Sequence, residues 1–448
     1  MKERKKFVCS NCGYESPTWL GKCPSCGEWN SFAEEKAIKK TSRDFRRGEV
    51  ETVKLDGKAR NENARMLTGV SEFDRALGGG FMQGSLVLIG GDPGIGKSTL
   101  VMQAAVKSGL ETLYVTGEES VNQINMRANR LGLSAENISL LAETNFEQIE
   151  NVALKLKPKL LIIDSIQTVF DPQFDNAPGT VTQLREVTVK LMRLSKAENI
   201  TTVIIGHVTK DGFIAGPKIL EHIVDTVLQF EGEKNHAFRI LRALKNRFGN
   251  TNEIGVFEMT EKGLRQVENP SSVFLSQKEK ALPGSAITAS LEGSRAVLIE
   301  VQALTTRTNY GNPQRVATGF DYKRLAILLA VLEKRTGLRT GYHNVFINIA
   351  GGLKIFEPAI DLAVCAAIAS SMNDITIPDN TLLLGEVGLG GEIRTVANIE
   401  KRIAEAEKLG MENIILPKGN AKNIAAKKSK LVPVKDIAEV FEKLKIFV

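Results

Sequence analysis

Ser85-Leu86-Val87-Leu88-Ile89-Gly90-Gly91-Asp92-Pro93-Gly94-Ile95-Gly96-Lys97-Ser98-Thr99 is the stretch on which the fold turns. Ser85 to Ile89 is a short apolar run suited to a buried parallel strand. Val101 to Val106 reads as a helix. Between them lies G-x-x-x-x-G-K-S in the strand–loop–helix setting that this pattern requires. The glycines let backbone N–H groups curl around phosphate oxygens. Gly91, Asp92, Pro93, Gly94, Ile95, Gly96, Lys97, Ser98 and Thr99 are therefore the expected ATP-binding residues. Lys97 should reach the β- and γ-phosphates, and Ser98 should coordinate Mg²⁺.

Working outward, Leu160-Leu-Ile-Ile-Asp164-Ser165 is a second buried strand with a carboxylate at its end. Asp164 is placed to hold Mg²⁺ through water. Thr112–Thr116 is a further strand, followed by Gly117-Glu118-Glu119-Ser120. Glu118 or Glu119 can orient the water that attacks the γ-phosphate, with Glu118 ahead; the plainer role is to start a helix. The strand Thr201–Gly206 leads to His207, a candidate γ-phosphate sensor. Lys210 to Lys218 is a glycine-punctuated loop with lysine at both ends. Lys210 and Lys218 are candidates for gripping a DNA backbone, and Phe170 to Gly179 is a second such loop. Two strand-like runs, Ile223–Phe230 and Ala237–Leu244, precede Lys245-Asn246-Arg247-Phe248-Gly249.

At the amino terminus stand Cys9-Ser-Asn-Cys12-Gly13 and Cys23-Pro-Ser-Cys26-Gly27. Two C-x2-C knuckles supply four thiolates, the donor set of a structural zinc, and each glycine allows a tight turn. Cys9, Cys12, Cys23 and Cys26 are the expected metal ligands. Cys365 lies in an apolar helical run and reads as core. The chain has 448 residues, 42% hydrophobic and 25% charged, with a net charge of +7. That composition excludes a largely disordered chain and a small disulfide scaffold, and it weakly favours an anionic partner. No apolar stretch approaches the roughly 20 residues that span a bilayer. With a charged start and no signal core, the expectation is a cytoplasmic protein without membrane contact.

Paired cysteine knuckles, phosphate loop, Gly-Glu-Glu-Ser, Ile-Ile-Asp-Ser and Lys-Asn-Arg-Phe-Gly, in this order, resemble the RadA (Sms) family of bacterial DNA-repair proteins. The resemblance implies an α/β chain in four parts. These are a zinc module (1–30), a charged linker (31–63), a RecA-like P-loop ATPase with a mainly parallel sheet (64–272), and an α+β domain resembling the Lon proteolytic domain (273–448). It implies that Lys245 and Arg247 act in trans on the ATP of a neighbouring subunit. Aligning the Lon nucleophile turn on Glu357–Ile360 puts Ala359 at the serine, and Glu400, beside Lys401, near the dyad lysine. Ala359 cannot attack a carbonyl, so proteolysis is not expected. Lys323, Arg324, Arg335 and Arg339 are further candidates for DNA contact. The resemblance implies a homo-hexameric, DNA-dependent ATPase with Zn²⁺ and Mg²⁺, acting on single-stranded and branched DNA with RecA in branch migration. The alternatives are an ATP-dependent protease, a strand-exchange recombinase or a clock-type ATPase.

Overall fold

The computed structural model describes residues 5–9, 14–25, 27–36, 65–134, 136–206, 219–232, 238–251, 253–275, 282–308, 311–422, 424 and 426–446. Cys12, Cys26, His207, Lys210, Lys218 and most of the linker lie outside them. The chain divides into two compact units, Met1–Gln266 and Val267–Val448.

The first unit opens with a small antiparallel sheet of β1 (Lys5–Cys9), β2 (Glu15–Ser16) and β3 (Phe32–Lys36), in the order β2-β1-β3. The expected module boundary at residue 30 falls short. β3 pairs with β1 along its whole length, and Phe32 packs with the buried Cys9 and Cys23.

The ATPase elements then follow. They are α1 (Ser71–Ala76), β4 (Leu86–Gly91), α2 (Lys97–Ser108), β5 (Thr112–Thr116), α3 (Val121–Arg130), β6 (Ile138–Ala142), α4 (Phe146–Leu156), β7 (Leu160–Asp164), α5 (Val181–Glu198), β8 (Thr201–Ile205), α6 (Ile219–Ile223), β9 (Thr226–Glu231), β10 (Phe238–Asn246), β11 (Ile254–Thr260) and β12 (Gly263–Gln266). Among the described residues they form one nine-stranded sheet, ordered β12-β11-β10-β9-β4-β8-β7-β5-β6. The six strands from β9 to β6 are parallel, and β10 to β12 continue antiparallel.

Strand periodicity divides the core between the two faces. Val87, Ile89, Tyr114, Ile162 and Val203 face α2 through Leu100, Val101 and Ala104. Leu88, Val115, Leu161, Ile163 and Ile204 face α4 and α5 through Ile149, Leu184, Val187 and Leu191. Helices on both faces explain why the strands read as unbroken apolar runs. The register also fixes the site. Thr116 pairs with Asp164, Asp164 with Ile205, and Ile205 with Ile89, so β5, β7 and β8 end in one row and β4 runs two residues past it. The turns after β4, β5 and β7 therefore open at the same edge, where α/β sheets bind ligands.

The second unit contains α7 (Pro270–Phe274), β13 (Ser285–Glu292), β14 (Arg295–Arg307), β15 (Arg315–Thr318), α8 (Tyr322–Thr336), β16 (His343–Ile349), α9 (Asp361–Asn373), β17 (Thr381–Leu383), β18 (Glu386–Val387), β19 (Ile393–Arg394), α10 (Ile399–Lys408), β20 (Asn413–Pro417), α11 (Lys418–Ala421), β21 (Lys430–Val434) and α12 (Ile437–Leu444). Its seven-stranded sheet, ordered β15-β16-β14-β13-β17-β20-β21, mixes parallel and antiparallel pairs. The unit starts six residues before the expected boundary at 273. The Ser271 hydroxyl accepts from Leu298 N–H of β14 and donates to Glu405 of α10.

Candidate nucleotide site

The loop between β4 and α2 places Gly96 at the helix cap and Lys97 in its first turn. A Cβ built on Gly94, at φ +78°, meets nothing within 4 Å, so the loop lies open where a ligand approaches. Lys97 is buried, and its Nζ donates to the carbonyls of Gly91 at 2.7 Å and Asp92 at 2.9 Å. Burial lowers its pKa to about 8, against the pull of Asp164, Asp92 and Glu118. A buried ammonium that donates to loop carbonyls, below a cradle of helix-terminal N–H groups, fits a polyphosphate.

Asp164 ends β7 and carries a hydrogen bond from the Tyr114 hydroxyl at 2.5 Å. Tyr114 is fully buried, and its pKa is raised by desolvation first and by Asp164 second. The next residue, Ser165, donates from its hydroxyl to Glu118 Oε1 at 2.5 Å. The Asp164–Ser165 peptide is cis. Glu118 reaches this place because Gly117 precedes it: a Cβ there would stand 2.0 Å from Thr168 Oγ1. Glu119 turns elsewhere. It pairs with Arg127 of α3 at 3.0 Å, and the same guanidinium lies 3.8 Å from Asp164 and 3.4 Å from the Tyr114 oxygen. The helix-start role is taken by Ser120, whose capping box with Gln123 begins α3. Lys97, Glu118 and Asp164 thus converge at one sheet edge. Tyr114, Ser165 and Arg127 join them without having been singled out from the sequence.

Lys245 and Arg247 lie elsewhere. Asn246 pairs with Thr226, and Thr226 pairs with Val87, four residues before Gly91. At strand rise that is on the order of 13 Å along the sheet from the phosphate loop. Lys245 Nζ donates to the carbonyls of Glu221 at 2.6 Å and Val224 at 2.8 Å, around the carboxyl end of α6. Its pKa is lowered by burial first and by Arg247 second. Arg247 is half exposed, 3.6 Å from the buried Asp225.

In the second unit, Lys323, Arg335 and Arg339 are exposed. Arg324 is not the open cation expected of a DNA contact. It binds both carboxylate oxygens of the fully buried Asp361 and the carbonyl of Val387, so its guanidinium is already committed. Ala359 is buried in the core, while Glu400 and Lys401 are exposed. The charged pair near them is Glu357 with the fully buried Arg402, which also donates to the carbonyls of Ala289 and Ala397. No described helix is long and apolar enough to cross a membrane.

Comparisons with known proteins agree with this layout. The rubredoxin metal-binding domain model matches residues 7–34, and the KaiC ATPase model matches 66–142 and 135–271. The model of subunit ChlI of Mg-chelatase matches 323–420, in the region expected to resemble Lon. The DNA repair protein RadA of Bacillus subtilis is 49% identical, over 99% of this chain and 98% of its own. That of Listeria monocytogenes is 48% identical over 99% and 98%, and that of Streptococcus pyogenes is 50% identical over 94% of both. Among solved structures, a KaiC-like protein of Pyrococcus horikoshii is 23% identical over 46% of this chain and 99% of its own, with a TM-score of 0.39. The chain thus has a zinc-ribbon module, a RecA-like ATPase domain and an α+β carboxy-terminal domain.

Proposed function

The chain belongs to the RadA family of DNA repair proteins, and from that premise we propose that it is a DNA-dependent ATPase motor acting on recombination intermediates. It works in the cytoplasm as a homo-hexameric ring on single-stranded and branched DNA. It promotes branch migration of the strand-exchange products that RecA generates.

The observation that supports this reading is the separation of the site into two halves. Lys97, Glu118 and Asp164 stand at the carboxyl ends of the strands. Lys245 and Arg247 stand at the other end of β4, out of reach of their own phosphate loop. A cation supplied to a neighbour's γ-phosphate makes hydrolysis depend on assembly.

Within one pocket, Gly91–Thr99 hold the triphosphate and Lys97 neutralises its β and γ oxygens. Glu118 accepts the proton of the attacking water. Ser98 and Asp164 would hold Mg²⁺, which would supply charge neutralisation to the triphosphate when bound. His207 senses the γ-phosphate, and Lys210, Lys218 and Lys323 meet the DNA backbone. Cys9, Cys12, Cys23 and Cys26 would hold zinc; the buried Cys9 and Cys23 and the knuckle bond from Gly27 N–H to Cys23 O suit that role. A protease reading has no support at the buried Ala359, which offers no nucleophile.

The test is ATP turnover with and without single-stranded DNA. Turnover should rise with DNA, and Lys97→Ala should lower it by at least ~10²-fold. Turnover indifferent to DNA, or a Lys97→Ala variant near wild type, refutes the reading.

A further inference from the structure

The chain has two tryptophans, and both lie in the amino-terminal module. Trp19 is 51% exposed and Trp29 is 65% exposed. The module's own core is Cys9, Cys23 and Phe32, with Phe7 and Leu20 against it, so neither indole is needed to build it. The fold nevertheless brings the two rings together. Lys22 is bridged to Trp29, and Asn30 N–H donates to Gly21 O, closing a short hairpin around the second knuckle. A Cβ placed on Gly21 would lie 3.8 Å from the Trp19 ring and 4.0 Å from the Trp29 ring. The indoles therefore flank one glycine. The ammonium of Lys22 sits 5.4 Å from the centre of the Trp29 ring.

We propose that Trp19 and Trp29 form a stacking platform for the bases of single-stranded DNA, with Lys22 paired to its phosphates. Open indole faces accept any base, and this sequence-tolerant stacking is how single strands are held. Charge decides between a nucleic acid and an apolar protein partner. Lys2, Arg4, Lys5 and Lys6, with Glu3 among them, precede the module's first knuckle. Lys39, Lys40, Arg43, Arg46 and Arg47 follow its last strand, with Asp44 the sole carboxylate between them. An exposed indole with an ammonium beside it, in a module followed in sequence by a basic run, suits a polyanion that carries flat rings.

This inference rests on the proposed action on DNA, and the two fail separately. Tryptophan emission of the full-length protein reports only this surface. A short oligodeoxythymidylate should quench it, and an abasic strand of equal length and charge should quench it far less. Trp19→Ala and Trp29→Ala should each weaken binding by at least about fivefold while metal content stays at wild type. Trp29→Phe, which keeps a π-face, should recover part of that loss. Equal quenching by the abasic strand would show that only charge is read, and overturns the platform. Emission already blue-shifted without DNA would show that another protein face covers the indoles, and overturns it too. DNA that binds and stimulates turnover while emission stays fixed overturns the platform and leaves the motor standing. A protein that binds no DNA loses both.

Discussion

Lys97 is the residue whose chemistry carries a pH signature. In the unfolded chain its ammonium has an ordinary pKa of 10.5, and in the folded chain burial lowers it to about 8. Between those values the unfolded chain binds more protons than the folded one, so this group's contribution to stability rises with pH. Nucleotide reverses the sign, because phosphate oxygens favour the charged form. ATP binding should therefore take up a fraction of a proton near pH 8, and affinity should fall as pH climbs above 8. Calorimetry in two buffers of different ionisation heat measures the uptake, and Lys97→Met should abolish it. Binding that moves no proton in the wild type would mean that Lys97 does not meet the phosphates. The paired glutamates separate on similar grounds. Glu118 is held by Ser165 at the end of β7, whereas Glu119 is held by Arg127. Glu118→Gln should bind ATP and lose at least ~10²-fold in single-turnover hydrolysis. Glu119→Gln should lose much less. The reverse order would exchange their roles.

The contact of α8 with α9 shows what one buried pair does for two elements. Asp361 has no exposure, and burial raises its pKa even though Arg324 opposes this. Arg324→Ala leaves that carboxylate without its partner, which costs about 3–5 kcal/mol in pairs of this kind. Scanning calorimetry of the full chain should show a clear fall in one transition. Arg324→Met with Asp361→Leu should recover part of it, since an apolar pair removes the stranded charge. A stable Arg324→Ala protein with weakened DNA binding would restore the role expected from the sequence. Arg324 also marks where the sequence stops being readable. The phosphate loop, Glu118 and Asp164 were legible because glycine, lysine and carboxylate act within a few residues of a strand end. Tyr114 looks like one more core aromatic in a strand; its hydroxyl gains meaning only when β5 lies beside β7 in register. Arg127 sits 37 residues before Asp164, and nothing local announces their approach. Arg324 reads from the sequence as a candidate for DNA contact, and Arg402 is not singled out at all. Their engagement depends on carboxylates at Asp361 and Glu357, outside their own helices. Long-range pairing is the information that apolar periodicity does not carry.

The ring itself is tested by mixing two inactive proteins. Lys97→Ala keeps Lys245 and Arg247 but has a dead pocket. Arg247→Ala keeps the pocket but lacks the cation that matches charge developing on the γ-phosphate. It should still bind nucleotide, because its own loop begins on the order of 13 Å along the sheet from residue 246. Neither variant alone should hydrolyse ATP well. In a mixed ring, some interfaces join a sound pocket of one subunit to a sound Arg247 of the next. Part of the DNA-stimulated turnover should then return. A second mixture, of Lys97→Ala with Glu118→Gln, damages the pocket in both partners and should stay inactive. The two mixtures separate assembly from simple refolding or subunit exchange. Recovery in the first alone requires that the pocket and the cation belong to different chains. If exchange is demonstrated and neither mixture recovers, Arg247 acts within its own subunit. Its proximity to Asp225, with Lys245 closing the end of α6, would then be its whole role.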